Sequence, residues 1–252
     1  NTPDKCYYFH FGLIVTGKGE EKHLPKLFKS LESAGICHFE VLRRVGQRSH
    51  ITSEKRKAEM VGKGKIIPDR DTYDIGFPAR RYLKDKIYSG VILIDDMEYE
   101  RRSDAKEIFS RYRAAFDKIL REQKGRASVH FLRNMLEAYY FADADAMNTV
   151  LNLEPPLNDY SGDVEEIRHP KGEIKKLCPS FKEVSDGGKI LDRIDVPHIL
   201  SRPDTCACLR TLFKWCSDIL TRYMDKGVFD NSVFIDKYRL NDGKLCEITA
   251  DQ

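Results

Sequence analysis

Apolar residues along this chain fall either into short unbroken runs or into stripes at helical spacing. The runs are Tyr7 to Val15, Phe39-Glu40-Val41-Leu42, Val91-Ile92-Leu93-Ile94 and Ser128 to Leu132. Unbroken runs of this length, rich in branched and aromatic residues, predict strands buried on both faces. The stripes lie between them. Leu24, Leu27, Phe28 and Leu31 repeat at helical spacing before Gly35, which ends the helix. Arg80 to Lys86 predicts a second helix. Ser103 to Gln123 predicts the clearest one: Ile108, Tyr112, Ala115, Phe116 and Ile119 share a face, and Ser103 is placed to cap it. Strands and helices in strict alternation predict an α/β fold, a doubly wound and mainly parallel sheet.

Two stretches break the pattern. Gly46 to Phe77 is polar and basic, and reads as a long loop or insertion. After the fourth strand, Asn134 to Ala142 reads as a short helix carrying Glu137. Beyond Asp145 the chain turns helical and loop-rich, with turns at Pro155-Pro156 and Ser161-Gly162 and a long helix from Asp204 to Met224. The division is therefore an α/β domain over 1–145 and a helical extension over 146–252 packed on it.

Composition narrows the function classes only slightly. The chain has 252 residues, 41% hydrophobic and 33% charged, with a formal net charge of +3. That charge is too small to imply nucleic-acid binding by itself. Arg43-Arg44, Lys55-Arg56-Lys57 and Arg101-Arg102 are local basic clusters, each readable as a solvated face. No apolar run has the length of a membrane span, and no signal-type segment opens the chain, so a cytoplasmic protein without membrane contact is expected. Seven cysteines at irregular spacing do not suggest a disulfide framework. Cys208, Leu212 and Cys216 recur at helical spacing and read as buried helix positions.

The chemistry sits at the strand ends. Asp95-Asp96-Met97-Glu98 directly follows the third run. Ligands of open α/β sheets bind outside the carboxyl ends of the strands, and carboxylates crowded there repel one another until a hard cation relieves them. The first strand ends at Gly17-Lys18-Gly19-Glu20-Glu21, where glycines permit close backbone approach to an anion at a helix start. A plain tight turn explains that segment equally well. Gln47-Arg48-Ser49 follows the second strand on the same edge, so Arg48 is a candidate phosphate contact. Glu137 reads either as a further ligand or base, or as a buried acid paired with a residue such as Arg133.

These motifs, taken in order, resemble the TOPRIM domain of topoisomerases, primases and old-family nucleases. The chain is more similar still to a TOPRIM-like family of uncharacterised bacterial proteins often encoded near defence systems. Thr16-Gly17-Lys18-Gly19-Glu20 matches that family's first motif in Glu20, with Thr16 where the first acid stands. Asp95 matches the first aspartate of the second motif, and Met97 stands where its second would be. Leu136 to Asp143 is similar to the downstream segment, and His169-Pro170-Lys171 follows in order. The resemblance implies a Mg²⁺-dependent nuclease (Mn²⁺ being able to substitute) acting on nucleic acid in anti-phage defence. It implies Glu20, Asp95 and Glu137 as catalytic groups, and Glu20, Asp95, Asp96 and Glu98 as metal ligands. Gly17, Lys18, Gly19, Arg48 and Lys171 would contact phosphate. The alternative is an inactive binding module working with an ATPase partner, in an oligomer or alone.

Overall fold

The computed structural model describes residues 8–49, 69–223, 237–238 and 240–252. Four strands form one parallel sheet: β1 (Phe9–Val15), β2 (Cys37–Arg44), β3 (Ser89–Met97) and β4 (Ala127–Arg133), in the order β2-β1-β3-β4. The order reverses direction between β1 and β3. That pair of strand ends is the topological switch point, where doubly wound folds leave an open crevice.

Each interior strand is buried on both faces, so its side chains divide by parity between two cores. Phe9, Phe11, Leu13 and Val15 of β1 join Ile92 and Ile94 of β3 on one face. Ile14 joins Val91, Leu93 and Met97 on the other. The second core is closed by α3 (Phe77–Asp85) and α4 (Ala105–Leu120), whose stripe Ile108, Tyr112, Ala115 and Phe116 is buried as its spacing predicts. Ile119 is only half-buried.

The first core is covered by α1 (Lys18–His23), α2 (Lys29–Glu32) and the C-terminal helices. Those helices are α5 (Ala144–Leu151), α6 (Pro170–Leu177), α7 (Glu183–Arg193), α8 (Val196–Leu200) and α9 (Ala207–Tyr223). Residues such as Ile190, Leu209, Leu212 and Phe213 lie in the same core as the sheet, so the extension shares the sheet's interior instead of building its own. Phe39 stacks between Phe11 and Phe28, with ring centroids at 4.4 and 4.0 Å. Offset stacking of this kind adds to the area each ring removes from water. Cys208, Leu212 and Cys216 are buried along α9.

Several boundaries differ from the sequence expectation. Ser103 does not cap α4; it lies in a 3₁₀ turn, Tyr99–Asp104, and the helix starts one residue later. Asn134 to Ala142 is a 3₁₀ segment confined to Leu136–Ala142. Of the expected long loop, 50–68 lies outside the described residues, as do Tyr7 and Met224, while 70–85 is helical, with a π turn at Thr72–Gly76. Among the described residues no helix is long and apolar enough to cross a membrane.

One buried group carries a pH signature. His130 of β4 is fully buried with neither ring nitrogen hydrogen-bonded among the described residues, and its ring meets Trp215 in a T-shaped contact with centroids 6.2 Å apart. Burial pushes its pKa down to about 3. A histidine depressed in the folded state loses stability as pH falls below its ordinary value near 6.5. His130→Leu is therefore expected to gain about 2 kcal/mol on wild type between pH 8 and pH 5. Urea unfolding of both proteins at the two pH values checks this; an unchanged difference would show that His130 titrates normally.

Candidate acidic site at the sheet's switch point

Parity decides the fate of the acidic run on β3. Asp95 and Met97 face the core of α3 and α4, and Met97 is buried in it. Asp96 faces the opposite side, toward α1 and the C-terminal helices. Glu98 lies beyond the strand and is exposed. The two adjacent aspartates thus enter different environments.

Asp95 is fully buried and fully engaged. Arg101 grips it bidentately, Nη1 to Oδ1 and Nη2 to Oδ2, both at 2.8 Å. The Tyr112 hydroxyl donates to Oδ2 at 2.7 Å, and Thr16 Oγ1 donates to Oδ1 at 3.4 Å. Burial works against the Arg101 charge, but the Asp95 carboxylate outweighs it and raises the Arg101 pKa. Burial and the same carboxylate hold the Tyr112 phenol protonated. Asp95, expected as metal ligand and catalytic acid, instead anchors the turn after β3.

Asp96 has no basic partner of that kind. Its Oδ1 accepts the Leu136 amide at 2.8 Å, and its own amide donates to Thr16 Oγ1 at 3.1 Å. Thr16, standing where an acid was expected, therefore ties the ends of β1 and β3 together. Burial, and then the charges of Glu20 and Glu137, push the Asp96 pKa well above the ordinary carboxyl range.

Glu20 arrives from the first turn of α1. It is buried, and its carboxylate folds back over Gly17: a β-carbon there would lie 1.7 Å from Glu20 Oε2. The close approach that Gly17 permits is thus used by the protein's own acid. Gly19 has open space around it, and Lys18 is exposed. Burial raises the Glu20 pKa, with Glu183 and Asp95 adding to it.

Glu137 is delivered by an unusual turn after β4. Asn134 and Met135 have φ of 58° and 75°, and Met135 has ψ of 163°. That region is nearly restricted to glycine and costs a non-glycine residue about 1–3 kcal/mol. The turn points the Leu136 amide at Asp96 and buries Glu137 beside it. Burial pushes the Glu137 pKa up to about 7.

Among the described residues one cation faces these acids. Lys171, on the first turn of α6, places Nζ 3.6 Å from Glu137 Oε1 and 2.5 Å from Glu183 Oε1. The pairing with Arg133 foreseen for Glu137 is absent; Arg133 bonds Glu166 at 3.2 Å. Glu20 Oε2 and Glu137 Oε2 are buried without a hydrogen-bond partner among the described residues. Tyr140 lies within reach of the cluster, and burial with the surrounding carboxylates keeps its hydroxyl protonated.

Arg48 sits away from this group. Its buried guanidinium bonds Asp71 at 2.7 Å, Asp74 at 2.8 Å and the Gly46 carbonyl at 3.0 Å, so it is committed to the fold. Its neighbour Gln47 reaches the Asp96 carbonyl at 2.8 Å. The structure therefore brings together Glu20, Asp96, Glu137 and Lys171, with Asp95 behind them, and leaves Glu98 and Arg48 outside. It adds Glu183 and Tyr140, which sequence reasoning missed. Tyr140 stands inside the downstream motif; Glu183 had no local signal.

Among the described residues no group of three or more acidic, histidine or cysteine side chains is arranged so that it could hold a metal ion. The donor set is nonetheless the hard-oxygen type that magnesium takes, and two of its oxygens are unpartnered. No protein-family profile, curated protein or solved structure matches the chain.

The paired acid Asp95 and the crowded acid Glu137 predict opposite mutational behaviour. Arg101→Met strands the buried Asp95 charge and is expected to cost about 3–5 kcal/mol. Glu137→Gln removes a carboxyl whose pKa is raised, so its contribution is complete below pH 4.5 and is lost as pH rises through 7. That variant is expected to be more stable than wild type by roughly 1–3 kcal/mol at pH 8 in EDTA, and level with it at pH 4. Urea unfolding at both pH values measures each; a destabilised Glu137→Gln at pH 8 refutes the strained-acid assignment.

Proposed function

We propose that this protein is a divalent-metal-dependent phosphodiester hydrolase acting on nucleic acid, with Glu20, Asp96 and Glu137 as its acidic centre. The observation that carries the proposal is the set of buried, mutually repelling carboxylates at the switch point, two of them with orphaned oxygens. Such a set destabilises the fold unless it takes up protons or a cation. Glu20 and Asp96 would hold Mg²⁺ or Mn²⁺, leaving Glu137 for proton transfer. When bound, the ion would supply Lewis-acid stabilisation of charge on the phosphate oxygens.

The chain's own groups have separate tasks. Glu137, with a pKa near neutrality, can take a proton from water and return it to the leaving oxygen. Lys171, half-exposed, can turn from Glu183 to a bound phosphate. Lys18 at the exposed start of α1 can meet the nucleic-acid backbone. Arg101 and Tyr112, through Asp95, hold the end of β3 at fixed geometry. The TOPRIM resemblance, whose second-motif acid would be Asp95 and not Asp96, supports metal-dependent chemistry at the same strand ends and extends the reading to anti-phage defence, in the cytoplasm.

A second reading, a binding module working with an ATPase partner, is favoured by one observation. Lys171 already lies among the acids where a metal's charge would go. In that reading the lysine substitutes for the ion, and the protein grips nucleic acid without cutting it.

End-labelled single- and double-stranded DNA and RNA, incubated with the protein in Mg²⁺, Mn²⁺ or EDTA, separate the two. Cleavage that needs the ion, falls about 100-fold or more in Asp96→Asn and survives in Glu98→Ala is the expected result. Mg²⁺ should also raise the melting temperature of wild type but not of Asp96→Asn. Salt-sensitive binding without cleavage, and without a Mg²⁺-dependent shift, would favour the binding module.

A further inference from the structure

The last residues of the chain form a strap across α9 and β4. Lys244 N donates to the Pro203 carbonyl at 2.8 Å. Buried Arg210 bonds the Lys244 carbonyl at 3.2 Å and also holds the Asp242 carbonyl. The Cys246 amide donates to Thr211 Oγ1 at 2.8 Å. At the far end, the Gln252 side chain bonds both Val129 N and Val129 O, at 2.7 and 2.8 Å.

Cys208 lies almost one helical turn before Thr211. The anchored Cys246 is therefore set beside it. Both residues line one cavity of about 110 Å³, together with Arg102 and Arg133. The cavity gives a small solute access to the pair. The neighbouring Cys208 thiol holds the Cys246 thiol down at about 6 against the effect of burial. Burial pushes the Cys37 and Cys216 thiols up instead, and Cys206 up to about 12.

We propose that Cys246 and Cys208 are a peroxide-reactive thiol pair whose oxidation to a disulfide stitches the C-terminal strap to α9. The Cys246 thiolate attacks one oxygen of hydrogen peroxide. The S–O bond forms, the O–O bond breaks, and the departing hydroxide leaves as water after taking a proton. The Cys208 sulfur then attacks the sulfenic sulfur of Cys246. The S–S bond forms, the S–O bond breaks, and the leaving hydroxide takes the Cys208 proton as a second water. Two thiols lose two electrons and peroxide gains them.

The test uses the reduced, full-length protein at pH 7 with stoichiometric hydrogen peroxide. Intact mass and peptide mapping are followed in time. A loss of two hydrogens is expected, mapped to a Cys208–Cys246 cross-link and reversed by dithiothreitol. It should form at least about 10-fold faster than oxidation of the half-exposed Cys178. Cys208→Ser should instead accumulate a dimedone-reactive sulfenic acid at Cys246. Oxidation that reaches Cys178 first overturns the proposal. So does oxidation of Cys246 in wild type to sulfinic acid without a cross-link. Both of these outcomes are read from the wild-type protein, so they decide the matter even where the variant fails to fold.

Discussion

A strand buried on both faces must send neighbouring side chains in opposite directions, and β3 keeps that geometry past its last aliphatic residue. Asp95 and Asp96 are adjacent in the chain, yet they are carried into two different cores. A buried carboxylate is tolerable only if something offsets its lost hydration. Asp95 meets Arg101, Tyr112 and Thr16, which satisfy both of its oxygens. Asp96 meets Glu20 and Glu137, which make its position worse. One structural rule therefore produces a charge that is settled and, beside it, a charge that is not.

The settled charge does mechanical work for the unsettled one. Arg101 reaches from the turn after β3 to Asp95 and also bonds the Arg48 carbonyl at 2.7 Å. Arg48 in turn is fixed by Asp71 and Asp74. The ends of β2 and β3 are thus joined through ion pairs and a hydrogen bond to the Arg48 carbonyl on the α4 side of the sheet. The opposite side is left to the acids and to Lys171. This division explains why Arg48 and Asp95, both on the functional edge, are poor candidates for ligand contact: each already holds a backbone in place.

The fold was legible because the apolar runs and stripes are long and agree with one another. Alternation of Val91 to Ile94 with the Ile108-to-Phe116 stripe leaves little choice but a parallel sheet. The site was legible only as a neighbourhood. Glu20, Asp96, Glu137 and Lys171 all stand out from their places at strand ends or in ordered motifs. Asp95 ranked above Asp96 because it fits the motif position, and motif spacing does not say which face of the sheet a residue takes. Counting parity from Ile94 would have separated the two. Glu183 carried no local signal, since its place beside Lys171 follows from how the start of α7 meets the start of α6. The turn at Met135 was invisible for a different reason. A non-glycine residue at positive φ breaks local propensity, and only the surrounding structure holds it there.

Strain and repulsion at one place argue for a use. Met135 is held in a backbone region that disfavours it, and the conformation it adopts turns the Leu136 amide to Asp96 and brings Glu137 inward. A fold selected for stability alone would replace Glu137 with an apolar residue and relax the turn, gaining on both counts. Here the cost recurs across several elements: the β1 end with Gly17 under Glu20, the β3 end, the β4 turn, and α6 with Lys171. Costs that converge from separate segments are not accidents of one loop. The Lys171 ammonium is the cation that meets this crowding, 3.6 Å from Glu137 Oε1, and the repulsion among the acids strengthens its attraction to the centre.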